Sequence, residues 1–198
     1  VGSEMCIRDR SRLLNDELEK KILNKIIKPT LEGLSNLKVE YKGFLYAGLM
    51  IDPNGNTKVL EFNCRFGDPE TQVLMLRLKS DLLPALIACV DGQLSNFNLR
   101  SDDGSAVCVV KVSQGYPGEY RIGSVIKDID LLNTQENVKI FHAGTVRSSD
   151  GELLANGGRV LGITALGTDI SSAQANAYHA IRKINWPEGF YRRDIAWR

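Results

Sequence analysis

Two strand-like runs, GFLYAGLMI (43–51) and TKVLEFNCRF (57–66), flank the turn-forming cluster DPNGN, and that arrangement dictates a β-hairpin. Successive side chains of a strand point to opposite faces. The second strand therefore sets Glu61, Asn63 and Arg65 on one face and Leu60, Phe62, Cys64 and Phe66 on the other. A carboxylate, an amide oxygen and a guanidinium in one row suit a polyphosphate carrying a divalent ion. Mg²⁺ prefers hard oxygen ligands and takes few of them from protein, with phosphate and water supplying the rest. Glu61 and Asn63 are the candidate metal ligands, with Mn²⁺ the alternative ion. Arg65 is the candidate catalytic group, placed to stabilise charge that builds up as a phosphoryl group moves. A simple Arg65–Glu61 ion pair is the competing reading, although an exposed pair of that kind contributes only about 0–1 kcal/mol.

Around the hairpin the pattern alternates between helix and strand. Leu14, Leu18, Ile22 and Ile26, widened by Leu23 and Ile27, predict an amphipathic helix from Ser11 to Lys28 with Pro29 close to its end, its apolar side against the hairpin. After the row, Asp68 reads as an N-cap and Pro69 as the first residue of a helix through QVLMLRLK. Ser80 and Asp81 can cap a second helix that ends near Asp91 and Gly92, with Pro84 tolerated in its first turn. The polar stretch QLSNFNLRSDDGS (93–105) reads as a linker and domain boundary. Beyond it come β-like runs at 106–113, 124–129, 138–146 and 158–166, then a helix from about Ser171 to Ile184 whose inner side carries Ala173, Ala177, Ile181 and Ile184. Strands followed by a packed helix define an α+β class.

Charge and composition narrow the ligand. With 25 basic against 24 acidic residues there is no overall field to draw nucleic acid or an anionic membrane, so small molecules are the expected partners. No apolar run approaches the ~18 residues needed to span a bilayer. The opening VGSEMCIRDR has no continuous apolar core and does not begin with Met; residues 1–10 read as a non-native leader. Cys6, Cys64, Cys89 and Cys108 are scattered, without a CxxC pair or a nearby His. That argues against a zinc site or disulfide framework and fits a reducing cytoplasm.

Further candidates lie on either side of the boundary. Asp68 and Glu70 are either helix-start carboxylates that favour the helix dipole or ligands for a substrate amine. Asn156, Gly157, Gly158 and Arg159 form a glycine-containing turn into a strand, either a plain hairpin turn or a cradle whose backbone N–H groups and guanidinium receive a phosphate. His142 and His179 have no Cys, His or carboxylate partner in view, and neither is offered as a catalytic base.

At EFNCRFGDPETQ the sequence resembles the phosphoribosylamine–glycine ligase family of the ATP-grasp superfamily, and RFGDPE looks like that family's signature. YKGFLYAGLMID, LRLKSDLL, GYPGEYRIG, FHAGT, NGGRVLGITALG and YRRDIAW also look like family segments in family order, so the resemblance covers roughly residues 11–198. It implies an ATP-dependent enzyme of purine synthesis that joins glycine to 5-phosphoribosylamine through glycyl phosphate, releasing ADP and phosphate. It further implies part of an ATP-grasp domain over 11–100, a C-terminal domain over 101–198, and N-terminal and ATP-lid domains upstream. On that reading this stretch alone is inactive, and the Asn156–Arg159 turn lies near the phosphoribosyl group. The family supplies a further acidic metal ligand upstream of the row, for which only Glu40 and Asp52 are near enough. Another ATP-grasp carboxylate–amine ligase, or a non-catalytic module that keeps the fold, are the alternatives.

Overall fold

The structure, a computed structural model, describes residues 15–130, 132 and 135–197; the leader and the first residues of the expected N-terminal helix lie outside them. The chain divides into two compact units. One holds the hairpin, running to Gly67 and resuming at Leu78–Ser101; the other holds Asp68–Arg77 and everything from Asp102 onward. The second segment of the hairpin unit thus ends inside the expected linker, but Asp68–Arg77 sits with the C-terminal unit.

In the hairpin unit Asn15 caps helix α1 (Asp16–Ile22) by accepting from the Leu18 amide at 2.8 Å. Pro29 does not end the helical run. A π-helical turn over Leu23–Ile27 leads directly into α2 (Lys28–Asn36), with the Lys28 amide donating to the Leu23 carbonyl. Proline lacks an N–H and its ring crowds the carbonyl four residues back, and a widened turn just before it relieves that crowding. Strands β1 (Tyr46–Ile51) and β2 (Thr57–Asn63) pair antiparallel as expected. Asp52 organises the turn between them: Oδ1 accepts from the amides of Asn54 and Asn56 at 2.9 and 2.8 Å, and Gly55 adopts φ +73°. The register shifts between Gly48 and Leu49, which leaves Leu60 as the extra residue of a bulge. Leu60 and Phe62 stay 64% and 42% exposed.

Helix α3 (Glu70–Arg77) opens the C-terminal unit, and α4 (Leu82–Val90) returns to the hairpin unit, capped by Asp81 on the Leu83 amide at 3.0 Å. The C-terminal unit is built on β3 (Ser105–Ser113), β4 (Val125–Ile126), β5 (Val138–His142), β6 (Thr145–Arg147), β7 (Leu153–Ala155), β8 (Arg159–Gly167), helix α5 (Ile170–Lys183) and β9 (Gly189–Phe190). An antiparallel sheet of order β5–β8–β3–β9 stands with a smaller sheet of order β4–β7–β6. Alternation along β3 gives each face its own cover. Val107 and Val109 join Ile163, Ala165 and the α5 residues Ala173, Ala177 and Ile181 in the main core, while Ala106 and Cys108 pack on Val73 of α3. Arg77, 5% exposed, ties the end of α3 to the start of β3 by donating to the carbonyls of Gly104 (2.9 Å) and Asp102. The α+β class holds, and the strands expected at 106–113 and 158–166 and the last helix are present. The run at 124–129 shortens to two residues, and 138–146 breaks at Ala143–Gly144 into β5 and β6. Among the described residues no helix is long and apolar enough to cross a membrane.

Helix α5 begins at Asp169, a little ahead of the expected start. Its carboxylate accepts from the Ser172 amide at 2.8 Å while Ser172 Oγ accepts from the Asp169 amide at 3.1 Å, a reciprocal capping box. The Ser172 hydrogen bonds hold the Asp169 carboxyl below the usual aspartate range. A carboxyl lowered on folding stabilises the folded state above its unfolded pKa, and that contribution is lost as pH falls through the folded value. Asp169→Ala is expected to lower the Tm by a few degrees at pH 7. In thermal melts the gap to the parent chain should close towards the acid end; a constant gap would place the loss elsewhere.

Candidate active site

The row at the end of the hairpin is only partly a strand face. β2 ends at Asn63, so Glu61 and Asn63 keep the expected alternation while Cys64 and Arg65 lie in a bend. Glu61 faces Gly48 across the ladder, where a Cβ would come within 3.0 Å of the Glu61 side chain; glycine leaves the carboxylate its room. The Arg65 guanidinium donates to the Phe66 carbonyl at 2.9 Å. No ion pair with Glu61 forms among the described residues, so the competing reading of Arg65 as a mere partner of Glu61 is not what this structure holds. Glu61 and Arg65 are both exposed, and Asn63 is half-buried.

Glu61 and Asn63 offer one carboxylate and one amide oxygen. That pair fits an ion whose other ligands are phosphate oxygens and water, and it is too small a set to hold an ion unaided. Among the described residues no group of three or more His, Cys, Asp or Glu side chains could hold a metal. The two acidic residues near enough to extend the pair have other work. Asp52 spends both carboxylate oxygens on the turn, whose hydrogen bonds from Asn56 hold its carboxyl below the aspartate range. Glu40 pairs with Lys42 at 2.8 Å, which likewise keeps it low.

The remaining candidates sit on the C-terminal unit. Asp68 does not cap α3: the helix starts at Glu70, and the Asp68 carboxylate turns instead to Arg159, with Oδ2 3.2 Å from Nη2, and accepts from Gln72 Nε2 at 3.3 Å on Oδ1. Both oxygens are thereby oriented, which a single cap contact would not do. Glu70 begins α3 and is half-buried. Gln72 packs over Gly162 of β8, where a Cβ would meet Gln72 Cγ at an ordinary van der Waals distance of 3.6 Å.

The turn Asn156–Arg159 is pinned from two sides. Ser113 donates its amide to the Gly158 carbonyl at 2.8 Å and its hydroxyl to the Gly157 carbonyl at 2.7 Å. The Asn156 amide donates to the Gly144 carbonyl at 2.7 Å, and Gly144 and Gly157 approach so closely that a Cβ on Gly144 would be 2.8 Å from Gly157 Cα. Gly144 of FHAGT and Gly157 of NGGR are thus required by backbone-on-backbone contact, not only by turn geometry. Ser113 holds both carbonyls, and the Gly157 and Gly158 amides donate to no acceptor among the described residues. His142 is exposed, with Nδ1 3.1 Å from Thr145 Oγ1, and His179 lies on the exposed side of α5.

The structure therefore brings Asp68 and Arg159 together in the C-terminal unit and carries Glu61, Asn63 and Arg65 on the hairpin unit. Two residues of this neighbourhood were not singled out from sequence. Gln72 opens the expected helical run QVLMLRLK with no local signal of a partner, and Tyr116 lies in GYPGEY, where only the nearby glycines hint at a tight loop.

Comparison with known proteins gives these features a context. Residues 106–198 match the family described as phosphoribosylglycinamide synthetase, C domain, and residues 5–71 match phosphoribosylglycinamide synthetase, ATP-grasp (A) domain. The phosphoribosylamine–glycine ligase of Brucella melitensis is 47% identical over 94% of this chain, and the chloroplastic one of Arabidopsis thaliana is 48% identical over 94%. The chain spans 43% and 35% of those relatives' lengths. The solved phosphoribosylamine–glycine ligase of Thermotoga maritima superposes with a TM-score of 0.76 at 31% identity, covering 94% of this chain and 44% of that one. A biotin carboxylase from Campylobacter jejuni superposes over 95% of this chain and 40% of its own length with a TM-score of 0.60, but at 14% identity that shows the ATP-grasp fold alone. With residues 5–71 and 106–198 matched in order to two domains of one enzyme, this chain belongs to the phosphoribosylglycinamide synthetase family, of which it carries part of the ATP-grasp domain and the C domain.

Proposed function

We propose that this chain is the part of an ATP-dependent ligase that couples glycine to 5-phosphoribosylamine, a step of purine biosynthesis in the cytoplasm. ATP phosphorylates the glycine carboxylate, giving glycyl phosphate and ADP. The amine of phosphoribosylamine then attacks the acyl carbon, the amide bond forms, phosphate leaves and the amine gives up a proton. The observation that carries this reading is the division of one short run. EFNCR ends the hairpin unit with an oxygen pair and a guanidinium, and DPETQ begins the C-terminal unit with a carboxylate already fixed by Arg159. Glu61 and Asn63 would hold Mg²⁺, or Mn²⁺, against the ATP phosphates, where the ion neutralises phosphate charge. Arg65 stabilises the acyl phosphate with a planar, bidentate anion contact. Asp68 and Glu70 receive the substrate amine, and Asn156, Gly157, Gly158 and Arg159 receive the phosphate of the phosphoribosyl group. The domains on this reading are a partial ATP-grasp domain over 11–100 and a C domain over 101–198, completed by N-terminal and lid portions of the full-length ligase.

The test is ADP release by a full-length ligase that carries this segment. Release should require glycine, phosphoribosylamine and a divalent ion together. Turnover with bicarbonate or another carboxylic acid in place of glycine, or none with glycine, would overturn the assignment.

A further inference from the structure

We infer that the ring of Tyr116, with Tyr120 beside it, is the surface on which the sugar of the phosphorylated amine substrate rests, a role built on the function proposed above. Gly158 is buried, and a methyl group on it would overlap the Tyr116 ring and come within 3.2 Å of Tyr120 Cε1. The Tyr116 ring thus lies directly against the glycine backbone. Yet the outer surfaces stay open, with Tyr116 and Tyr120 38% and 41% exposed and their rings 6.1 Å apart at 60°. The loop that presents them is tight: Gly115 takes φ +99°, where a side chain would also strike the Glu119 carbonyl.

The groups gathered at that turn suit the groups of the ligand. The Gly157 and Gly158 amides donate to no acceptor among the described residues, and Ser113 fixes the turn by holding both carbonyls. Such paired N–H groups suit a phosphate. The next residue is Arg159, whose guanidinium holds the Asp68 carboxylate at 3.2 Å. The Tyr116 ring lies on Gly158 of the cradle and the neighbouring Arg159 holds the Asp68 carboxylate, so amides, ring and carboxylate are linked at one turn, for a ligand that carries phosphate, ribose and amine. An aromatic face accepts the apolar C–H side of a sugar, while the phenol hydroxyl remains available to a ribose hydroxyl. A nucleobase could stack on the same ring, and the experiment separates the two.

In the full-length ligase carrying this segment, Tyr116→Ala should raise KM for phosphoribosylamine about tenfold or more and leave KM for glycine and ATP within about twofold. Tyr116→Phe keeps the ring and should stay close to the parent. Gly158→Ala, which forces the ring aside without removing it, should reproduce the selective rise and guards against a Tyr116→Ala protein that fails to fold. A folded Tyr116→Ala or Gly158→Ala enzyme with unchanged KM for phosphoribosylamine overturns the inference, as does a rise confined to ATP. A parent enzyme that turns over another substrate overturns the underlying function instead, so the two failures are distinguishable.

Discussion

Arg65→Ala in a full-length ligase carrying this segment is expected to lower kcat by about 10²- to 10³-fold, the usual cost of removing one pre-aimed charge stabiliser from a transition state. KM for phosphoribosylamine should change little, because Arg65 is not among the residues proposed to hold that substrate. Among the described residues its one hydrogen bond goes to the neighbouring Phe66 carbonyl, so the side chain is dispensable for stability. A loss of rate can then be read as a loss of chemistry once a thermal melt shows an unchanged Tm. Arg65→Lys should recover only part of the rate, since a lysine keeps the charge but loses the planar two-point contact. Glu61→Ala should act differently, raising the Mg²⁺ concentration needed for half-maximal rate. Unchanged kcat in the Arg65→Ala enzyme would remove Arg65 from the reaction.

Lys111→Met is expected to stabilise the chain at neutral pH by roughly 1–3 kcal/mol. Lys111 is 4% exposed on the face of β3 turned to α5, with Nζ 3.3 Å from the Ile184 carbonyl and 5.4 Å from the centre of the Trp186 ring. Burial lowers its pKa from 10.5 to about 8, a shift that Glu188 only partly offsets. Between those two values the unfolded chain holds a proton that the folded chain has released, so stability rises with pH from about 8 to about 10.5. Below pH 8 the folded protein carries the buried charge at full cost. The methionine chain has no such proton to release. Chemical denaturation of both proteins from pH 7 to pH 10.5 should therefore show the methionine advantage shrinking across that window, while other lysines and tyrosines cancel in the difference. An advantage that stays constant, or a less stable methionine variant, would mean that the carbonyl and ring contacts already compensate the charge.

The hairpin was legible because its turn chemistry is local. Asp52 and Gly55 act on atoms two to four residues away, and the flanking alternation needs only the strand period. Helix α5 was legible for the same reason, with a regular small-residue stripe on one side. The N-terminal helix misled at Pro29, because a π-turn can absorb a proline and nothing in composition signals that it will. Asp68 misled in a more instructive way. Asp-Pro-Glu carries strong helix-start chemistry, but an arginine ninety-one positions later offers the carboxylate a charged partner, and local propensity gives way to that contact.

By itself the sequence determined the α+β class, the hairpin and the chemical kinds of residue gathered along EFNCRFGDPETQ. Those follow from side-chain period, turn residues and ligand chemistry, all of which act over a few positions. Tertiary structure alone decided that this run is cut after Gly67, that Asp68 faces Arg159, and that Tyr116 lies on Gly158. Each depends on residues far apart in the chain, joined only when β3 and β8 pair and α3 packs on them.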